Sequence, residues 1–164
     1  MKHFFPYLLS VVFLLVSLFL GSCTGYPDGP SVSFTSALTK ISTTWRVKQA
    51  VLNNTEDVTT DYETEYFKFD EDGEFETLEA RYQISLPPFT QDTIIPAIGS
   101  GTWRFLEEET MVELLYGYRF RDPYNSDIFY TEEQNERYEI RRLAEDELWL
   151  SNDSLFLKLE FFSQ

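Results

Sequence analysis

The hydrophobic pattern divides the chain into two parts. From Tyr7 to Leu20 it runs YLLSVVFLLVSLFL, broken only by Ser10 and Ser17. After TGYPDGPSVSFTS (24–36), apolar side chains return at every second position. That period belongs to strands with one buried face. Thr43–Leu52 alternates Trp45, Val47 and Val51 with Arg46 and Lys48, and Ser154–Phe162 alternates Leu155, Leu157, Leu159 and Phe161 with Lys158 and Glu160. Between them the same reading predicts strands over Asp61–Asp70, Gly73–Ser85, Gly99–Leu106, Thr110–Phe120, Asn135–Leu143 and Glu147–Ser151. In Gly73–Ser85 the parity changes between Phe75 and Leu78, which predicts a bulge. Ala37–Ser42 reads as a short helical turn. Glu107–Leu115 and Glu132–Leu148 are rich in helix formers, but their clean alternation predicts strands.

Turn chemistry then orders the strands. Asp70–Gly73, Glu107–Glu109 and Ala144–Asp146 are tight connections, whereas Asn53–Thr60, Leu86–Ile98 and Arg121–Gln134 are long. Long and short connections alternate, so a meander places the long loops at one end; the short Asn152-Asp153 turn joins them there. The expectation is an all-β fold, an eight-stranded antiparallel up-and-down barrel, since closure removes exposed sheet edges. The first strand starts at the tight-turn end and the last returns to it, so both ends of the barrel belong there.

The apolar run is short for a bilayer-spanning helix, which needs about twenty residues. With Lys2 before it and small residues after it, the run predicts a secretory signal. Leu20-Gly21-Ser22-Cys23 resembles the lipobox of bacterial lipoproteins. That resemblance implies removal of residues 1–22, lipidation of Cys23, and a membrane partner held through that lipid. The location it implies is the cell envelope, at the outer membrane. Pro27, Gly29 and Pro30 predict a flexible tether over 23–37, leaving 38–164 as the barrel domain.

Charge and missing residue types narrow the chemistry. The chain of 164 residues carries 13 Lys+Arg against 28 Asp+Glu, a formal charge of −15. This argues against nucleic acid as a partner. Processing before Cys23 removes His3, the single histidine, and lipid caps the single cysteine. Ser-His and Cys-His catalysis and zinc sites then lack their donors, and no glycine-rich phosphate loop is present. No catalytic residue, metal or cofactor is expected; carboxylates, Tyr, Lys, Ser and Arg remain for chemistry, and a carboxylate-based hydrolase with two facing carboxylates stands as a third reading. Asp70-x-Asp72-Gly73 with Glu79 fails as a calcium loop, because Lys68 falls where the first carboxylate belongs. Glu107–Glu109 reads as a solvated turn.

The aromatics are more informative. Alternation assigns Trp45, Phe67, Phe69, Phe75, Val112, Leu159 and Phe161 to the interior of the tight-turn half. It assigns Val51, Tyr62, Tyr82, Ile84, Tyr116, Tyr118, Phe120 and Tyr138 to the interior near the long loops. The segments TTWRV (43–47), FKFDEDGEFET (67–77), GTWRF (101–105) and YEIRRLAEDELWLS (138–151), in this order and spacing, resemble the lipocalin-like domains of bacterial lipoproteins. The resemblance implies a non-enzymatic barrel with a pocket at the long-loop end. The candidate ligand-binding residues are Tyr62, Tyr82, Tyr116, Tyr118 and Tyr138, for a small apolar or amphipathic ligand. The tyrosines fit equally a filled barrel with hydroxyls at a wet rim, acting as an interaction module for an envelope protein or polysaccharide, or a pocket with apolar walls and hydroxyl handles.

Overall fold

A computed structural model describes residues 25–29, 35–84, 93–121 and 129–163. Its strands are β1 (Thr44–Leu52), β2 (Glu56–Asp57), β3 (Tyr66–Phe69), β4 (Glu74–Ile84), β5 (Thr93–Leu106), β6 (Met111–Arg121), β7 (Phe129–Leu143), β8 (Glu147–Ser151) and β9 (Leu155–Phe161). Two short helices, α1 (Ala37–Ile41) and α2 (Thr59–Tyr62), precede β1 and β3. Each strand from β3 to β9 pairs antiparallel with the next; β1 pairs with both β3 and β9. The sheet closes as an eight-stranded up-and-down barrel, with β2 as a small hairpin partner of β1.

The closed end is plugged with apolar side chains. Trp45, Phe69, Phe75, Val112, Leu114, Ile140, Leu143, Leu148 and Leu159 are buried there in one cluster. Each such side chain contributes about 1.5–3 kcal/mol on burial. Helix α1 covers the bottom. Ser36 caps it by accepting from the Thr39 N–H at 3.1 Å, Ile41 is fully buried, and the Ile41 carbonyl accepts from Trp45 Nε1 at 3.0 Å. The chain therefore enters the barrel at this end, and Trp45 pairs with Phe161 where β9 leaves it. Residues 25–29 also lie here. Tyr26-Pro27-Asp28-Gly29 turns with the Gly29 N–H on the Tyr26 carbonyl at 3.0 Å, proline and glycine standing where a type I turn favours them. The Asp28 N–H bonds the Arg141 carbonyl at 2.8 Å, and Arg141 pairs with the Asp28 carboxylate at 3.1 Å.

Three register shifts correct the simple alternation. The expected bulge in β4 lies between Thr77 and Ala80, where the Thr77 hydroxyl accepts from the Gly99 N–H at 3.0 Å. A second, between Val47 and Gln49, turns Ala50 inward opposite Leu157; Val51, expected inside, therefore takes the outward position. The third lies in β7 between Ile140 and Arg142. Phe161, also expected inside, is 48% exposed at the last position of β9.

The long connections are shorter than expected, because β5 and β7 begin six residues earlier, at Thr93 and Phe129. In β5, Pro96 argues against a paired strand, yet it sits opposite Arg81. In the first half of β7, Thr131–Gln134 is polar on both faces, so no alternation of polarity marks it. The stretch expected as the start of a strand at Asp61 instead belongs to α2. Asn53 and Asn54 take positive φ to make the β1–β2 turn, a conformation asparagine tolerates.

Candidate functional site

Polarity inside the barrel changes with height. Along β6 the inward residues run Val112, Leu114, Tyr116, Tyr118, and along β7 Ile140, Tyr138, Glu136, Gln134. The lower members are fully buried, Tyr116 and Tyr138 are 6% and 3% exposed, and Tyr118, Glu136 and Gln134 are half-buried. Solvent thus reaches inward-facing side chains from the long-loop end down to the level of Tyr116 and Tyr138. Gly101 makes room for Tyr116: a Cβ at that position would collide with the Leu115 carbonyl oxygen and the Tyr116 backbone.

The segment between β1 and β3 forms one wall. β1 and β3 pair only through Thr44–Arg46 and Tyr66–Lys68. Beyond that, the Val58 N–H bonds the Ala50 carbonyl at 3.0 Å and the Thr59 hydroxyl accepts from the Ala50 N–H, also at 3.0 Å. Asp57 holds the start of α2 through the Thr59 N–H at 2.9 Å. The Glu65 N–H closes on the Tyr62 carbonyl at 2.9 Å, so Tyr62 packs against the core and Glu65 shares the parity of Phe67 and Phe69. Glu65 is only 5% exposed.

Of the expected residues, the structure gathers Tyr62, Tyr116, Tyr118 and Tyr138 with two carboxylates that the sequence reading passed over, Glu65 and Glu136. Tyr82 lies on β4, its side chain outside the described residues, and Cys23 lies outside them altogether. The Tyr118 hydroxyl donates to Glu65 Oε1 at 3.3 Å. The Tyr138 hydroxyl donates to Glu136 Oε2 at 2.6 Å. The rings of Tyr116 and Tyr118 meet edge-to-face at 5.2 Å.

Burial governs the protonation of this cluster. It raises Glu65 to about 7, with the negative charge of Glu136 adding to the rise and the Tyr118 hydrogen bond opposing it. Burial also pushes Tyr62 up to about 12 and Tyr116, Tyr118 and Tyr138 well above the ordinary phenol value, the nearby carboxylates adding to it. At neutral pH the tyrosines are therefore neutral, and Tyr118 and Tyr138 are the donors to the two glutamates. Among the described residues no Lys or Arg pairs with Glu65 or Glu136, and no set of three His, Cys, Asp or Glu side chains converges as metal ligands.

The described strands thus form a closed eight-stranded antiparallel barrel, apolar at one end and carrying inward polar groups at the other. No family model matches the chain, and no curated protein matches it. Among solved structures it is similar to the crystal structure of a lipocalin-like protein from Bacteroides uniformis, with 12% sequence identity and a TM-score of 0.48, over 75% of this chain and 99% of that one.

Proposed function

We propose that this barrel binds a small amphipathic ligand at its tyrosine-rich end and works as a binding protein rather than an enzyme. The burial gradient along β6 and β7 carries this reading. The closed half is packed, while the described inward groups above it on β6 and β7, Tyr118, Glu136 and Gln134, are polar and half-buried. Such a site fixes an apolar body by its walls and a polar part by a few placed hydroxyls and carboxylates. Native mass spectrometry of the protein purified from its own host tests it. A non-covalent adduct that leaves on denaturation is expected; a bare mass throughout would favour the filled barrel, an interaction module working through its loops.

The proposal includes lipid attachment at Cys23 in the cell envelope, at the outer membrane. The docking of Asp28 on β7 supports a particular posture. Asp28 lies five positions after Cys23, a reach of at most about 18 Å, so a lipid there would hold the closed end toward the membrane and turn the mouth away. Cys23→Ala should release the protein from the membrane fraction; a variant that stays membrane-bound would defeat the anchoring.

A further inference from the structure

We infer that the ligand carries a positively charged nitrogen, held by Glu65 and Glu136 among the faces of Tyr62, Tyr116, Tyr118 and Tyr138. This rests on the binding reading above and adds to it the ligand's charge.

The first argument compares carboxylates. On the outer face Glu113 sits between Arg104 and Arg137, Glu160 takes Arg46 and Lys48, Glu76 takes Lys68, and Glu147 takes Arg142. Glu65 is hidden from water as thoroughly as a core residue, yet only a tyrosine hydroxyl meets it among the described side chains. A buried charge is tolerated when it is paired. Up to about pH 7 a proton neutralises Glu65; above that the partner it lacks is a cation, and among the described residues no inward side chain supplies one.

The second argument is the rings. Protonated amines and quaternary ammonium groups are attracted to aromatic faces; Tyr118 and Tyr138 meet the two carboxylates through their hydroxyls, and Tyr62 and Tyr116 lie close enough to feel the charge of Glu136. A neutral ligand would use the hydroxyls and leave Glu65 uncompensated; an anionic ligand would be repelled by both carboxylates.

The third argument is the approach. Among the described residues at the long-loop end, 49–67, 82–84, 93–103 and 129–136 hold no Lys or Arg, while Glu56, Asp57, Asp61 and Glu63 lie in the first and Glu132 and Glu133 in the last. Arg81 of β4, opposite Pro96, and Arg119 and Arg121 of β6 stand at this height, at positions that alternate with the inward ones. A mouth lined by one sign of charge concentrates ligands of the other.

The test titrates the full chain by calorimetry with three probes of one shape: 2-phenylethylamine, 2-phenylethanol and 3-phenylpropanoate. At pH 8 the amine should bind about ten-fold more tightly than the alcohol or better, as expected for a hydrogen bond to an ionised partner, and the carboxylate probe least. Amine affinity should rise from pH 6 to pH 8 as Glu65 loses its proton. The facing groups Tyr62 of α2, Tyr116 and Tyr118 of β6 and Tyr138 of β7 stay protonated across that range, with Glu136 of β7 beside them. Glu65→Gln should erase both the amine preference and its rise with pH, and Glu136→Gln should weaken the preference. Near-ultraviolet circular dichroism checks that each variant is folded, and the preference of the unaltered protein stands whatever the variants do. Equal binding of amine and alcohol would overturn the charge inference and leave the pocket. Binding of none of the three would overturn the charge inference, and a bare native mass would then remove the pocket with it.

Discussion

Two glutamates in this barrel are almost equally hidden, yet they live in opposite electrostatic worlds. Glu113, 2% exposed, lies on the outer face of β6, in register with Arg104 of β5 and Arg137 of β7. The two guanidiniums both cover it and neutralise it, with bonds of 2.6 and 2.7 Å from their Nε atoms, and they hold its carboxyl below the usual range. Glu65 lies inside, under neutral tyrosines, and is pushed up to about 7. Concealment by countercharge stabilises the ionised form; concealment by protein without countercharge disfavours it. The outer ladder is a structural solution complete in itself, whereas the interior pair is incomplete until something positive arrives.

The largest expected effect is at Glu65. The folded state keeps its proton up to about 7, while the unfolded chain loses it near the ordinary 4.5. Between these values the folded state binds more protons, so stability falls as pH rises, by roughly 3 kcal/mol in all. Glu65→Gln removes that loss. Urea melts should show the variant more stable than the parent at pH 8 by up to roughly 3 kcal/mol, with the difference nearly gone at pH 4. A variant less stable at pH 8 would mean that Glu65 already has a cation, and the comparison with Glu113 would collapse.

This contrast was only half legible in the sequence. The barrel, its closed end and the inward positions of Tyr116, Tyr118 and Tyr138 follow from alternation and turn chemistry, because burial of one strand face leaves a period of two; Tyr62 reaches the core from α2 instead. Glu136 was equally legible in principle, sharing the parity of Tyr138 and Ile140, but a charged residue on a strand is ordinarily read as solvent-facing. Glu65 was not. Helix α2 interrupts the alternation between Tyr62 and Phe67, so its inward position depends on the bonds that tie the Val58 N–H and the Thr59 hydroxyl to Ala50, which no local pattern announces. Val51 failed for a related reason: the β1 bulge reverses parity without a glycine or proline to mark it.

A smaller effect is expected at the hydroxyl that touches Glu65. Tyr118→Phe keeps the ring and removes the donor. Hydrogen bonds to charged groups contribute about 1.5–3 kcal/mol, and the lower figure suits a 3.3 Å contact. The variant should lose about 1.5 kcal/mol at pH 8, where Glu65 is ionised, and less at pH 5, where it is protonated. Because that bond opposes the rise in Glu65's pKa, its loss should also carry the upper limit of the pH-dependent window above 7. Chemical denaturation across pH 4–9 reads both; equal losses at pH 5 and pH 8 would show that the hydroxyl serves packing and not the carboxylate.

The smallest effect belongs to the outer ladder, and its sign sharpens the comparison most. The folded-state pKa of Glu113 lies below its unfolded value, so the ladder stabilises the protein above the unfolded pKa and loses that contribution as pH falls through the folded one. Glu113→Gln should therefore destabilise modestly at neutral pH, since both arginines are mostly exposed and exposed ion pairs are weak. The deficit should shrink toward pH 3 and in molar salt, which screens surface charges over about 3 Å. Glu65→Gln should gain relative to the parent as pH rises from 4 to 8, and Glu113→Gln should lose. Thermal or urea melts of the two variants against the parent would then diverge in opposite directions along one pH axis. Slopes of the same sign would mean that the two glutamates share one environment, and that the interior carboxylate is paired after all.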